Sequence, residues 1–123
     1  MPFMRGLTAI VTGDDAERLH AALSIAAAHA ATGAPARLFC EGLAVQLLVE
    51  GAAVPHDAVR RTAGLPTLAE LRGEAQALGV ALIACQGGMA LAGLAIGQLG
   101  PGVEAGGLVG LMTSLGDDRL ATF

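Results

Sequence analysis

Short apolar runs alternate with amphipathic segments along this chain. The runs are rich in aliphatic residues and are bounded by glycine or polar residues, as in strands that are buried on both faces of a sheet. They predict five strands, at Leu7–Thr12, Ala36–Cys40, Val80–Ala84, Val103–Ala105 and Arg119–Phe123.

Between these runs, apolar residues recur at helical spacing. The first such segment follows Asp14, an expected N-cap that pairs with Glu17 in the manner of a capping box, and it ends at Gly33. Thr67 and Glu70 form a second pair of this kind, ahead of a helix that ends at Gly79. Shorter helices are predicted at Leu43–Leu48, Asp57–Thr62, Met89–Leu94 and Leu108–Leu115.

The order of these elements predicts the fold class. Alternating strands and helices imply right-handed βαβ crossovers and a mostly parallel five-stranded sheet with helices on both faces. The chain shows no internal repeat and no linker, so we expect one α/β domain over residues 1–123.

Composition narrows the possible functions. The chain has no Lys, Tyr or Trp, which excludes a Schiff-base or P-loop lysine and stacking platforms for single-stranded nucleic acid. Its net charge of −4 argues against direct nucleic-acid binding. We therefore expect no nucleic acid and no cofactor. Because only 15% of the residues are charged while 54% are hydrophobic, we expect other copies of the chain to cover part of its surface.

Location and metal content follow from a few further features. The N-terminus lacks the pattern of a signal peptide, and two cysteines are too few for a disulfide framework or a structural zinc site. The stretch 75–103 carries no charge, but repeated glycines interrupt it, which is not the pattern of a membrane span. We expect a cytoplasmic protein with no membrane contact and no metal.

Candidate site residues lie where strands of a parallel sheet end, because ligands and chemistry gather at that edge. Cys85 follows a predicted strand and precedes Gln86-Gly87-Gly88-Met89, a glycine turn that opens a helix. Backbone N–H groups and the helix dipole at such a turn favour a thiolate. The alternative is that Cys85 is a buried thiol acting as a small hydrophobic residue.

Two further positions share this edge. Cys40 could be a resolving thiol, but on the strand order 2-1-3-4-5 it lies two strand spacings from Cys85, roughly 9–10 Å, beyond disulfide reach. We therefore expect Cys40 to line the core or a pocket. Gly13-Asp14 could form a phosphate turn, yet it lacks a G-x-G-x-x-G pattern, so helix capping explains Asp14 better.

The segment LIACQGGMALAGL, residues 82–94, resembles the signature of the DsrE/DsrF-like sulfur-relay family. That family places a cysteine after a core strand and a Gly-aliphatic pair eight residues later, here Gly93-Leu94. The resemblance implies a flavodoxin-like three-layer fold, homo-oligomers that are trimers or hexamers, and persulfide carriage on Cys85. Relatives that act in tRNA thiolation tend to carry basic residues before the glycine pair, whereas this chain has Ala90, Leu91 and Ala92.

Two functions remain open at this point. One is a sulfurtransferase-like carrier that exchanges sulfane sulfur with donor and acceptor proteins through Cys85. The other is a non-catalytic small-ligand-binding or oligomeric assembly protein of the same fold, and the sequence leaves open whether the chain is an enzyme. Residues expected to contact a substrate are Gln86, Gly87, Gly88, Met89, Gly13, Asp14 and Cys40.

Overall fold

A single sheet of five parallel strands organises the computed structural model, which describes residues 4–52 and 54–123. Every strand pairing in this described part is parallel, and the spatial order is β4-β3-β2-β1-β5. The strands are β1 (Leu7–Thr12), β2 (Ala36–Glu41), β3 (Ala81–Cys85), β4 (Glu104–Gly106) and β5 (Arg119–Thr122).

Helices connect the strands in sequence. They are α1 (Ala16–Ala31), α2 (Asp57–Thr62), α3 (Leu68–Ala77), α4 (Gln86–Ala92) and α5 (Leu108–Thr113), together with 3₁₀ helices at Gly42–Leu48 and Ile96–Gln98. The three-layer α/β class expected from the sequence is confirmed.

The strand order differs from the expected 2-1-3-4-5, because β2 lies between β1 and β3. The chain advances by one strand at each step from β1 to β4 and then crosses back to the far edge at β5. Right-handed crossovers in one direction place α1 and α3 on the same face, and the return crossover places α5 on the other. Packing agrees with this, since α1 contacts α3, β1 and β2.

Because successive side chains of a strand point to opposite faces of the sheet, the core residues are divided between these two faces. Leu38 and Leu82 are partners in the register of β2 and β3 and are buried on the face that α1 and α3 cover. Phe39 and Ile83 are the next pair and lie toward α5. Phe39 is fully buried, whereas Ile83 is half-buried, so the α5 face is the less completely covered one.

Two helix starts differ from the sequence prediction. Asp15, not Asp14, caps α1, since its Oδ1 accepts a hydrogen bond from the Glu17 amide at 2.9 Å. Adjacent aspartates are equally good caps in sequence, so only the backbone conformation decides between them. The helix α4 begins directly at Gln86 with no preceding turn. The capping box of Thr67 and Glu70 is confirmed.

The uncharged stretch 75–103 is divided among several elements, including β3 and α4. Across the described residues, no helix has both the length and the apolar character needed to cross a membrane.

A polar network fastens α5 to the sheet. Arg37 on β2 donates to the Thr8 hydroxyl at 2.7 Å, to the Ser114 hydroxyl at 2.7 Å and to the Leu111 carbonyl oxygen at 3.1 Å. Thr8 in turn donates to Asp118 at 2.8 Å, and that carboxylate lies 3.8 Å from the Arg37 guanidinium. Asp118 thus balances the charge of an arginine that is mostly buried.

Removing that carboxylate tests the network. We expect Asp118→Ala to lower the free energy of unfolding by about 1–3 kcal/mol, because the buried Thr8 hydroxyl loses its acceptor and the mostly buried Arg37 guanidinium loses its counter-charge. Asp117→Ala is the matched control. Asp117 is exposed. Its backbone oxygen accepts a hydrogen bond from Arg5, and its side chain has no hydrogen bond or salt bridge among the described residues. Urea unfolding measures both variants; equal losses would contradict the role of Asp118.

Candidate functional site

Cys85 is at once the last residue of β3 and the N-cap of α4. Its backbone is extended, and its Sγ accepts a hydrogen bond from the amide of Gly88 at 3.4 Å. The side chain is only 8% exposed. Sulfur occupies the position that a Ser or Asp oxygen takes in an ordinary N-cap, so a backbone N–H group already faces the sulfur atom.

Gly88 fixes how α4 sits against the sheet. A Cβ atom at this position would overlap the carbonyl group of Gly42, with its carbonyl carbon at 2.9 Å. Only glycine allows the backbone of α4 to approach the 3₁₀ helix Gly42–Leu48 this closely. The 3₁₀ helix continues directly from β2, so the contact ties the start of α4 to the end of the neighbouring strand.

The other residues predicted around Cys85 divide by exposure. Gln86 and Gly87 are exposed on the first turn of α4, whereas Gly88 and Met89 are buried. The Gln86 side chain reaches toward β4, where its Oε1 lies 3.9 Å from the position that a Cβ of Gly107 would occupy. A ligand that approaches Cys85 from the solvent therefore meets Gln86 and Gly87, whereas Met89 belongs to the core.

Cys40 lies in a different environment. It is completely buried, and it pairs in register with Ala84, so its side chain is on the α1 face, opposite to Cys85. Burial raises the pKa of the Cys40 thiol to about 12. Both cysteines are free, as expected, but the expected reason was wrong. Their strands are adjacent, and the thiols are kept apart by facing opposite sides of the sheet.

Gly13 and Asp14 are not brought to Cys85. They follow β1, which β2 separates from β3. Gly13 adopts a left-handed conformation with φ of 77°, a turn that favours glycine. Asp14 is exposed beside a separate cavity of about 350 Å³ that Glu17, Leu47 and His56 also line.

Next to that cavity is a charged cluster that sequence reasoning missed. Arg60 on α2 is buried and forms a hydrogen-bonded ion pair with Glu17 on α1. The hydrogen bond from Arg60 lowers the pKa of Glu17, and His56, with its Nδ1 3.5 Å from the carboxylate, acts in the same direction. Nothing in the local sequence signals this long-range pair. In the described part of the chain, no group of three His, Cys, Asp or Glu side chains is placed to hold a metal.

The fold and this site define a three-layer α/β protein with a cysteine at the start of a short helix on the carboxyl edge of its sheet. Comparisons with solved structures agree on the fold. The chain is similar to the YchN protein of E. coli, with a TM-score of 0.79 and 23% identity, covering 98% of this chain and 100% of that one.

A second solved structure has the same arrangement. It is MTH1491 of Methanobacterium thermoautotrophicum, described as a protein of unknown function, with a TM-score of 0.73 and 14% identity over 98% of this chain and 100% of that one. No protein-family model and no curated protein match the chain. At such low identities, the likeness establishes the shared fold alone.

The glycines of α4 provide a first test of the site geometry. We expect Gly88→Ala to destabilise the protein by about 1–3 kcal/mol, because the added methyl group collides with the Gly42 backbone. Gly87→Ala is the control, since its Cβ meets only the Cys85 sulfur at an ordinary 3.8 Å. It should be neutral or stabilising by up to about 1 kcal/mol. Thermal and denaturant unfolding measure both; a tolerated Gly88→Ala would contradict the close contact.

The two thiols should differ in reactivity. At neutral pH we expect an alkylating reagent to label Cys85 first, because Cys40 is sealed in the core and its pKa lies near 12. Cys40 should be labelled only when the protein is unfolded, because burial both shields its thiol from the reagent and raises its pKa. Mass spectrometry of the labelled peptides gives both rates. Faster labelling of Cys40 would contradict the assignment.

Proposed function

We propose that this chain is an intracellular sulfur-relay protein of the DsrE/DsrF-like class that carries sulfane sulfur as a persulfide on Cys85. The observation that carries the proposal is the setting of Cys85, whose Sγ faces the Gly88 amide at a helix start while the other thiol is sealed in the core. The shared fold supports it, as does the residue 82–94 segment.

The proposed chemistry is a thiol–persulfide exchange. The Cys85 thiolate attacks the terminal sulfur of a donor persulfide, a new bond forms between Sγ and that sulfur, and the donor leaves as a thiolate. Each side of the reaction carries two negative charges, and no external oxidant or reductant is consumed. The Gly88 N–H group lies where it can stabilise negative charge on sulfur.

The competing function is a non-catalytic ligand-binding or assembly protein of the same fold. It is favoured by the low exposure of Cys85 and by its capping hydrogen bond, which would be useful to the structure without any reaction. This alternative predicts no stable sulfur adduct at Cys85. A direct loading experiment therefore separates the two.

If Cys85 carries sulfur, the protein exposed to a small persulfide donor should gain about 32 Da, one sulfur atom, and lose it on treatment with a reductant. Cys85→Ser should not gain this mass. It should still fold, because serine is a better N-cap than cysteine. Cys40→Ser should load normally. Intact-mass spectrometry gives the readout, and equal loading of both cysteines would indicate unspecific thiol chemistry and contradict the proposal.

We also propose that the protein works as a homo-oligomer, a trimer or a hexamer. Large apolar side chains remain exposed on the chain, with Val109 at 83% and Leu91 at 71%. A chain with only 15% charged residues has little charged surface to keep the protein monomeric in water when such apolar groups are exposed. Light scattering at micromolar concentration should give a multiple of three chains, and a monodisperse monomer would contradict this.

A further inference from the structure

A cleft of about 200 Å³ lies between α5 and the sheet. Phe39 and Ile83 form its apolar floor, and Leu111 on α5 lines the opposite side. Its volume corresponds to about seven water molecules at bulk density, which is enough for a small organic molecule. None of the residues predicted from the sequence as substrate contacts lines this cleft.

The cleft lies next to Cys85 on the sheet, although Cys85 itself does not line it. Ile83 precedes Cys85 by two residues on β3, so both side chains start from the same face of the sheet. Gly106 lines the cleft and is the register partner of Cys85, one strand spacing of about 4.8 Å away. Gln86 extends over Gly107 at the same end. Ile83 Cγ2 covers Gly106 closely, so a molecule that reaches this end of the cleft would lie on Ile83, beside the cysteine.

The two charged residues that line the cleft differ in how many hydrogen-bond and ion-pair partners they already have. Arg37 already donates to Thr8, Ser114 and the Leu111 carbonyl oxygen, and Asp118 balances its charge. Glu104 lines the cleft from β4. Throughout residues 4–52 and 54–123, no hydrogen bond or salt bridge engages its carboxylate. The charge available to a ligand is therefore negative, which favours a cationic group.

Three glycines line the cleft, and one of them, Gly110, borders open space. Gly106, Gly107 and Gly110 all line it, and a Cβ atom at Gly110 would meet nothing within 4 Å. A larger side chain at position 110 can therefore extend into the space without colliding with the backbone. Gly110 belongs to α5, where a residue with a side chain is compatible with the helix.

We propose that this cleft binds a small aminothiol, with its ammonium group toward Glu104 and its sulfur toward Cys85, as the acceptor of the carried sulfur. The acceptor role rests on the proposed function of Cys85. The aminothiol thiolate attacks the terminal sulfur of the Cys85 persulfide, the bond from that sulfur to Sγ breaks, and Cys85 leaves as a thiolate. The product is the persulfide of the aminothiol, so charge and sulfur balance with no further reactant.

Transfer kinetics test the acceptor role. Protein loaded with sulfur on Cys85 is mixed with cysteamine or with 2-mercaptoethanol, in which a hydroxyl replaces the ammonium group. The ratio of the two second-order rate constants should fall about two- to fivefold in Glu104→Gln, the range expected for one exposed ion pair. Intrinsic thiol reactivity cancels in this comparison. An unchanged ratio would overturn the proposal.

Filling the cleft gives a second variant with a matched control. Gly110→Leu should lower the rate with cysteamine while leaving sulfur loading of Cys85 intact. Val109→Leu should change neither rate, because Val109 is 83% exposed and does not line the cleft. Equal effects of the two substitutions would overturn the assignment of the cleft.

Binding is also measurable without any sulfur transfer. Ethanolamine, which has the amine but no thiol, should shift the amide resonances of Gly106, Gly107 and Gly110 saturably in Cys85→Ser protein, and less so when Glu104→Gln is added. Absence of saturable shifts would overturn the cleft as an amine site, even if Cys85 carries sulfur. If these shifts are saturable but the unmutated protein takes up no sulfur in the loading experiment, the cleft is supported as an amine site and the sulfur-relay function is rejected.

Discussion

The backbone contact between Gly42 and Gly88 is the constraint on which the candidate site depends. It joins the segment that follows β2 to the helix that follows β3, at a distance that no side chain permits at position 88. This closeness fixes the first turn of α4, and with it the direction of the Gly88 N–H group toward the Cys85 sulfur. The position of the thiol is thus set by two glycines rather than by a polar side chain.

The opposite face of the sheet is held in a different way. There α5 is short and covers the strands incompletely, and a mostly buried arginine with four partners joins it to the sheet. Arg37 holds the C-terminal part of α5 through the Leu111 carbonyl oxygen and the Ser114 hydroxyl, and Leu111 and Ser114 also line the cleft. The cleft beside Gly106 lies between this part of α5 and the sheet. Arg37 therefore both anchors α5 and lines the cleft.

The sequence predicted the strands and helices well, because buried strands and capping pairs leave local patterns, as at Leu7–Thr12 and at Thr67 with Glu70. It could not predict the strand order, since adjacency of β2 and β3 depends on pairings between distant segments. The same limit hid the Glu17–Arg60 pair and the Gly42–Gly88 contact. Of the predicted site residues, those next to Cys85 in sequence are near it in space, while Gly13 and Asp14 are not.

The strand order also changes why the two cysteines differ. On adjacent parallel strands, residues in register share a face, and a shift of one residue reverses it. Cys40 is level with Ala84, one residue before Cys85, so a single step in register sends one thiol into the core and the other toward the helix start. Burial then raises the pKa of Cys40 to about 12 and removes it from chemistry at neutral pH. The pleat of the sheet thus gives two neighbouring thiols different surroundings without any dedicated residue.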